Sequence, residues 1–433
     1  MHTADSGANA AAWLLVLVTA ATSLVVGDAL AREPVSGELA IVGARIYPSP
    51  DAAPIDDGVV IMRNGQIARV GPRSKTAVPQ TARRIDAHGA VLTAGFWNSH
   101  IHLMPPELLN AASAKADVLQ SALEAMLTRW GFTTVFDIAS STDNALALRQ
   151  RVNSGEIAGP MILTVGDPFF PEGGTPIYVR EYLKAHGWRD EEVATPEQAA
   201  ARAAQQLQRG TDGVKIFAGA IVGGKIGVLP MRIDIATAVV EEAHRRGKPA
   251  FAHPSNLAGL NVAIESGVDV LAHTTAMDGG PSAAWSPELI ARMRAHNMAL
   301  IPTMTLFEVE GKKGAESSED IARAIRLITA EVKDYAAAGG QILFGTDVGY
   351  TDAFDTTEEY RLMSAALDWR RILASLTTAP ASRFGFAVHK GRIATGMDAD
   401  LVVLDADPAK DPTAFARVRD TIRAGRVIWG ADR

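Results

Sequence analysis

Residues 91–103 read VLTAGFWNSHIHL, and the interpretation of the whole chain starts from this stretch. An apolar run leads into His100 and His102, which are separated by one residue. Because side chains alternate between the two faces of a strand, both imidazoles are predicted to project together from the end of one strand, residues 91–102. Two neutral imidazoles can hold a divalent metal ion, although an isolated His-x-His pair is more often a surface or core feature.

Size and charge exclude several classes of protein. The chain has 433 residues, a formal net charge of −7 and no cysteine. Its charges are mixed in sign and form no basic stripe, which argues against a nucleic-acid partner. Beyond the N-terminal segment there is no unbroken apolar run of roughly 18 residues, so a core that spans a membrane is not expected. Without thiolates, the available metal ligands and nucleophiles are histidine, carboxylate and lysine side chains.

The first 31 residues are predicted to be a secretory signal peptide. Residues 10–26 are apolar, and the small residues Ala29 and Ala31 mark a cleavage site before Arg32. One feature is atypical, because the first ten residues contain no lysine or arginine. The alternative is an uncleaved anchor, which would be the only expected membrane association. We expect an exported protein, either periplasmic or secreted.

The two ends of the mature chain resemble each other and differ from the middle. Residues 32–93 and 385–433 alternate apolar and polar positions between Pro-, Asp- and Gly-rich turns, which is typical of short strands. Asn64-Gly65 between two apolar runs predicts a tight hairpin. We therefore predict one small β-sandwich formed by both chain ends.

The middle of the chain, residues 94–384, alternates apolar runs with helical patterns. Thr195-Pro196 and Ser286-Pro287 each offer a helix N-cap followed by proline at the first helical position. Such alternation predicts parallel βα units, and eight of them suit an α/β fold of the (β/α)8 TIM-barrel type. The candidate strands are residues 91–102, 133–138, 161–165, 213–217, 249–253, 270–274, 299–303 and 342–347.

A long connection follows the third of these strands. Residues 169–189 are rich in glycine, proline and aromatic side chains. Loops of this length are uncommon unless they act as lids or binding loops. The segment is interpreted as a lid over the barrel mouth, with surface decoration as the alternative.

The strand ends share one kind of residue. In TIM barrels the active site lies at the C-terminal ends of the strands. Each candidate alone has an ordinary explanation, such as a core histidine, a charge at a strand edge or a helix cap. Together they indicate a metal site. They are His100, His102, Lys215, His253, His273 and Asp347.

These motifs resemble those of the amidohydrolase superfamily, near its imidazolonepropionase-like and Xaa-Pro or Xaa-Arg dipeptidase branch. The resemblance covers essentially everything after residue 31. It is carried by the segments LTAGFWNSHIHL, GVKIF, FAHP, VLAHTT, ILFGTD, ASLTTAPASRFGF and GRIATGMDADLVVLDADP.

The resemblance implies a site with two divalent metal ions. His100, His102 and Asp347 would hold the more buried ion, and His253 and His273 the second. Lys215 would be N6-carboxylated and would bridge both, since an unmodified ammonium would be repelled by cations. A bridging hydroxide would attack the substrate carbonyl, with Asp347 as the catalytic general base and acid. Nitrogen and oxygen ligands without sulfur suit zinc, with cobalt or manganese as alternatives.

One absence separates possible reactions within the superfamily. Deaminases of this superfamily usually carry a glutamate three residues after the fifth-strand histidine and lack the fourth-strand lysine. Here Asn256 stands three residues after His253, and Lys215 is present. Amide hydrolysis is therefore favoured, with a dipeptide or N-acyl amino acid as the small-molecule substrate. Two alternatives stay open: a hydrolase that opens a cyclic amide or lactone, and a non-catalytic barrel that serves as a binding protein.

Polar residues near the barrel mouth are candidates for substrate contacts. A dipeptide or N-acyl amino acid brings a carboxylate, for which arginine or lysine is a suitable partner. The candidates are Arg180, Lys225 and Arg232. Tyr178 and His186 in the predicted lid are further candidates. By analogy with relatives, the protein is expected to form a homo-oligomer.

Overall fold

The computed structural model describes residues 37–186, 192–275 and 284–430. The predicted signal peptide, residues 1–31, lies outside the described residues. None of the described helices combines the length and apolar character needed to cross a bilayer.

The two chain ends pair with each other in one β-rich sheet. In hydrogen-bonding order the strands, whose ranges close this paragraph, are β20-β19-β18-β5-β1-β2-β3, and β4 pairs with β1 outside this order. The sheet surrounds its own apolar core, which includes Ile41, Val60, Leu92 and Val403. Its strands are β1 (Leu39–Ile46), β2 (Ile55–Arg63), β3 (Gln66–Pro72), β4 (Arg83–Asp86), β5 (Val91–Ala94), β18 (Leu401–Leu404), β19 (Val418–Arg423) and β20 (Arg426–Trp429). A β-rich domain built from both ends is thus present, and all its strands belong to one continuous sheet.

The prediction of a single strand over residues 91–102 is wrong, because the chain changes sheets at Gly95. Strand β5 pairs with β18 in the β-rich sheet, whereas the next strand, Phe96–Ile101, pairs in the barrel. Gly95 N donates to Asp400 O at 2.7 Å. A Cβ at this position would overlap the Thr133 side chain, so the crossing requires glycine.

Eight parallel strands form the barrel, and all eight predicted strands are present with shifted bounds. They fall into two hydrogen-bonded groups, of three and five strands. Phe169 N donates to Lys215 O at 2.8 Å, and Ser99 N donates to Phe344 O at 2.7 Å, which joins the groups at both edges. The strands are β6 (Phe96–Ile101), β7 (Phe132–Asp137), β8 (Met161–Thr164), β11 (Val214–Phe217), β14 (Ala250–His253), β15 (Val270–Ala272), β16 (Ala299–Ile301) and β17 (Gln341–Ile342).

Helices follow the barrel strands and pack outside them. Thr195 and Ser286 cap their helices as predicted, accepting hydrogen bonds from Gln198 N and Leu289 N. The helices are α1 (Ala116–Met126), α2 (Thr142–Asn153), α3 (Ile177–His186), α4 (Pro196–Gln208), α5 (Ile233–Arg245), α6 (Leu257–Glu265), α7 (Pro287–Ala295), α8 (Met304–Lys313), α9 (Ser318–Ala337), α10 (Thr357–Ser364), α11 (Trp369–Leu376) and α12 (Thr378–Arg383).

The segment predicted to be a loop over residues 169–189 contains structure of its own. A two-residue strand, β9 (Phe170–Pro171), pairs with β10 (Glu192–Val193), and α3 lies between them. A short hairpin of β12 (Gly219–Gly223) and β13 (Gly227–Pro230) follows β11. The side chain of Ile177, at the start of α3, lies close to Gly223 of this hairpin.

Aromatic side chains fill the barrel interior and give the site its floor. Phe136 and Phe251 pack with ring centroids 4.8 Å apart. Trp97 stacks on Phe384, at 6.0 Å, where the chain leaves the barrel. Trp97, Phe136 and Phe251 are buried and Phe384 is partly buried, so polar side chains at the strand ends rest on a close-packed aromatic layer.

Candidate metal centre and active site

Three of the predicted ligands meet at one point. His100 Nε2 lies 2.9 Å and His102 Nε2 lies 2.8 Å from Asp347 Oδ1. The two Nε2 atoms are 3.3 Å apart. All three residues are buried, with at most 8% of any of them exposed. These three residues, each at or just after the end of a barrel strand, therefore form a compact group of nitrogen and oxygen donors.

The turn after the last barrel strand holds Asp347 against the first strand. Asp347 N donates to His100 O at 2.9 Å, and His102 N donates to Val348 O at 2.8 Å. Asp347 has a positive φ of 60°. Gly349, with φ 97°, passes so close to His102 O that a Cβ there would overlap it. Only glycine permits this approach, so the turn fixes the carboxylate beside both imidazoles.

Two further histidines lie beside this group. The rings of His253 and His273 are 4.7 Å apart, and those of His100 and His273 are 4.6 Å apart. His273 Nε2 is 3.9 Å from Asp347 Oδ2. The ring of His253 stacks on Phe217 at 4.8 Å. The structure thus brings all four predicted histidines to one end of the barrel.

Burial keeps the imidazoles of His100, His253 and His273 neutral. It lowers the pKa of His100 to about 3, against the opposing attraction of Asp347. The pKa values of His253 and His273 also fall well below the usual histidine value because of burial. Burial alone would raise the pKa of Asp347, but His100 and His102 outweigh it and hold that pKa well below its ordinary value. A carboxylate among neutral imidazoles is the protonation pattern that metal binding requires.

Lys215 lies in the same buried region. Only 1% of the residue is exposed, and its Nζ is 5.6 Å from the Phe217 ring centroid. Burial lowers the pKa of its ammonium group to about 8, although the carboxylates of Asp347 and Asp137 oppose that shift. A neutral amine is therefore accessible near neutral pH.

The donor set fits a divalent ion. Zinc–nitrogen bonds of 2.0–2.1 Å at tetrahedral angles place neighbouring ligand atoms about 3.3 Å apart. The separations among His100, His102 and Asp347, between 2.8 and 3.3 Å, are close to that spacing. Asp347 Oδ1 is buried and accepts no aligned hydrogen bond from the described residues. His102 Nδ1 lies 2.8 Å from Ala139 O, which orients its Nε2 towards the cluster.

A cavity of about 1750 Å³ opens above the cluster. Lys215, His253, His273 and Asp347 lie at its base. Its wall is largely apolar and aromatic, and α3 and α8 contribute much of it. The wall includes Tyr178, Tyr182, Phe307, Glu310 and Tyr350. The segment predicted to be a lid therefore contributes to the cavity wall through a helix.

Only one of the five predicted substrate contacts lines this cavity. Tyr178 does so, and its ring meets that of Tyr350 at 5.5 Å. The other four are exposed and are not among the lining residues, and substrate contact by them stays a prediction. Arg232 pairs with Asp234 at 2.5 Å, beside it in sequence. His186 Nδ1 bonds back to Tyr182 O within α3. The remaining two are Arg180 and Lys225.

Sequence reasoning also missed a buried acid. Asp137, at the end of β7, accepts hydrogen bonds from Ser140 Oγ at 2.5 Å and Thr164 Oγ1 at 2.6 Å. Burial raises its pKa, and these donors oppose the shift. Its place at a barrel strand end is the same signal that identified the six metal-ligand candidates. Sequence reasoning also missed Thr303, whose hydroxyl contacts His273, 30 residues away in the chain.

Comparison with known proteins agrees with the architecture. The model of the amidohydrolase family matches residues 91–428. The chain belongs to the amidohydrolase family. The resemblance inferred from the motifs is thereby confirmed, as is the prediction of an enzyme that hydrolyses C–N bonds. The alternative of a non-catalytic barrel is set aside.

Individual amidohydrolases align over most of the chain. Ochratoxinase of Aspergillus niger is 22% identical over 447 residues, covering 91% of this chain and 89% of that protein. A dihydroorotase of Anaeromyxobacter dehalogenans is 24% identical over 462 residues, covering 92% and 99%. A solved Xaa-Pro dipeptidase with bound methionine superposes with a TM-score of 0.77 and 21% identity, covering 91% and 100%. At this identity the structural likeness establishes the fold, a TIM barrel with a β-rich domain.

Proposed function

We propose that this amidohydrolase uses two divalent metal ions, with zinc as the expected metal, to cleave the amide bond of a dipeptide or an N-acyl amino acid. The observation that carries the proposal is the convergence of His100 Nε2, His102 Nε2 and Asp347 Oδ1 within 3.3 Å of one another. His253 and His273 would hold the second ion. When bound, such ions supply Lewis acidity, which lowers the pKa of water and polarises a carbonyl oxygen.

Lys215 is proposed to carry an N6-carboxyl group. Its neutral amine would form an N–C bond to carbon dioxide and release one proton, which leaves an anionic carbamate. Burial favours this step because it lowers the pKa of the amine to about 8. A carbamate would replace a cation with an anion that has two oxygen donors, in the cavity that His102, His253 and His273 also line. The modification therefore removes the repulsion that an ammonium would exert on bound cations.

Asp347 is proposed to move the proton of the reaction. Its carboxylate would take a proton from the attacking water and deliver it to the departing amine. Its low pKa keeps it ionised, which is the form that can accept a proton. The turn that contains Gly349 holds it in place, so the transfer needs no rearrangement of the chain.

The cavity supports a substrate with apolar or aromatic groups. Tyr178, Phe307 and Tyr350 line it, and its volume of about 1750 Å³ accommodates groups larger than a dipeptide backbone. Two arginines that line it are already paired, Arg209 with Asp143 and Arg323 with Asp320. Recognition at the wall is therefore proposed to rest on shape and on aromatic contact rather than on a dedicated cation.

A cyclic amide is the second candidate substrate, and the similarity to a dihydroorotase supports keeping it. The experiment that tests both is metal analysis of the purified protein combined with a panel of dipeptides, N-acyl amino acids, cyclic amides and lactones. We expect two divalent ions per chain and hydrolysis of a linear amide. Activity on ring substrates alone would favour the second candidate, and inactivity on every linear amide would remove the first.

The location and assembly of the protein also stay proposals. The apolar run and small-residue site in residues 1–31 support export to the periplasm or the medium. A homo-oligomer is proposed by analogy with relatives. Edman sequencing of the secreted protein would test the first, with Arg32 expected as the new N-terminus.

A further inference from the structure

Thr303 has an unusual conformation at the end of a barrel strand. It follows β16 and directly precedes α8, with φ 46° and ψ 56°. A left-handed conformation is rare for a β-branched residue and is strained. The residue is fully buried. Strain of this kind persists only where the surrounding structure enforces it.

The Thr303 hydroxyl makes two hydrogen bonds, and its role as donor in one fixes its role as acceptor in the other. It donates to Pro302 O at 2.8 Å. Because a hydroxyl has only one proton, it must accept from His273 Nδ1, which lies 2.6 Å away. The proton of the imidazole is therefore on Nδ1, and the lone pair is on Nε2. His273 Nε2 is the atom that faces Asp347.

The position of Thr303 is that of a helix N-cap, yet its side chain does not cap. At Thr195 the hydroxyl accepts from the backbone of its helix, and at Ser286 it does the same. At α8 the cap is supplied from elsewhere: Glu359 of α10 accepts from Met304 N at 2.9 Å and Thr305 N at 2.7 Å. Glu359 thus leaves the Thr303 hydroxyl available to His273.

We infer that Thr303 is a positioning residue, which fixes the tautomer and the orientation of His273 so that Nε2 can bind the second metal ion. Glu359 supports it by capping α8 in its place. This inference rests on the metal-binding role proposed for His273. Partners of this kind, when removed, typically lower metal affinity by about 10–100-fold.

Three variants of Thr303 separate the hydroxyl from the conformation. Thr303→Val keeps the shape and removes the hydroxyl, and Thr303→Ser keeps the hydroxyl. Thr303→Gly removes the hydroxyl but relieves the strain of the positive φ, so it is expected to fold at least as well as the wild type. Thr195→Val is the matched control, because it removes a hydroxyl that only caps a helix.

The first measurement is Zn²⁺ titration of the metal-free full chain against a competing chelator. We expect the weaker of two binding steps to lose about 10–100-fold in affinity in Thr303→Val and Thr303→Gly. Thr303→Ser should stay within a few-fold of the wild type, and Thr195→Val should not change. Equal affinities in the wild type and Thr303→Gly would overturn the inference.

The second measurement does not depend on metal. In metal-free protein with ¹⁵N-labelled histidine, the His273 signal, assigned by its loss in His273→Asn, should show a proton on Nδ1. Thr303→Val should shift it towards the other tautomer or a mixture, and an unchanged tautomer would contradict the role of Thr303. If the wild type binds no Zn²⁺, the proposed function fails, and this measurement still decides whether Thr303 positions His273.

Discussion

The base and the wall of the same cavity handle charge in opposite ways. At the base, Asp347 and Lys215 are at most 3% exposed, and Asp347 lies within 4 Å of three imidazoles. At the wall, charged side chains are exposed or half-buried, and several of them pair with another surface charge. Glu310 and Lys313 are 3.0 Å apart on α8, for example.

This difference indicates which part of the cavity serves the chemical step and which part binds the substrate. Charges buried in a low-dielectric region interact strongly and are costly unless compensated, so the base is built for a metal ion and for transition-state charge. Solvent screens the wall pairs, and each contributes little to stability or binding. We therefore expect substitutions at the base to change the rate of the chemical step, and substitutions at the wall to change substrate binding.

The largest effect is expected at Asp347. Asp347→Asn keeps the size of the side chain but removes the base, and it is expected to lower kcat by about 10²–10⁴-fold. Asp352→Asn, an exposed acid that lines the wall a few residues later, should leave kcat within about twofold of the wild type. Steady-state kinetics on the best substrate of the panel measures both. Equal effects of the two substitutions would erase the contrast between base and wall.

A smaller effect, on KM, is expected at Tyr350. Its ring packs against Tyr178 at 5.5 Å and forms part of the aromatic wall. Tyr350→Ala removes binding contacts that are the same in the ground state and the transition state, so KM should rise about tenfold with kcat little changed. Trp130→Ala, a half-buried ring that does not line the cavity, is the control. A fall in kcat without a rise in KM would assign Tyr350 to the chemistry instead.

The smallest effect on activity, and a clear effect on stability, is expected at Glu359. Burial raises its pKa to about 7, although hydrogen bonds from Thr305 N and Met304 N oppose the shift. Because the folded state raises this pKa, the folded protein holds the carboxyl proton more tightly than the unfolded chain does. The resulting contribution of Glu359 to the free energy of unfolding is complete below pH 4.5 and is lost as the pH rises through about 7. The size is on the order of 3 kcal/mol.

Urea unfolding of Glu359→Gln across this range tests that expectation. The variant should lose this part of the pH dependence, whereas Glu319→Gln, an exposed residue of α9, should keep it. A wild type whose free energy of unfolding does not fall between pH 4.5 and 7 would show that the capping hydrogen bonds outweigh burial.

The base could be predicted from the sequence because strand ends in a parallel barrel meet at one edge. His100, Lys215 and Asp347 are far apart in the chain, but each lies within or a few residues after a short apolar segment that forms a barrel strand. Alternation along the strand then sets the direction of the side chain. The same logic pointed to Asp137, which ends the second strand and was overlooked.

The wall and the support of His273 were harder to predict. Helix α3 was hidden in a segment rich in glycine and proline, although Thr175-Pro176 before it resembles the Thr195-Pro196 start of α4. Three of the four predicted substrate contacts that do not line the cavity were chosen for their charge, and His186 was chosen for its place in the predicted lid. Neither criterion reveals which way a side chain faces. The bond from His273 to Thr303 joins two strand ends 30 residues apart and carries no local pattern.

The measurement that tests the account most directly is the metal content of the full chain, purified without added metal or chelator. We predict two divalent ions per chain in the wild type and the loss of at least one in His100→Asn, with hydrolysis lost in parallel. A wild type that contains no divalent ion and hydrolyses its substrate at full rate in the presence of a chelator would contradict it.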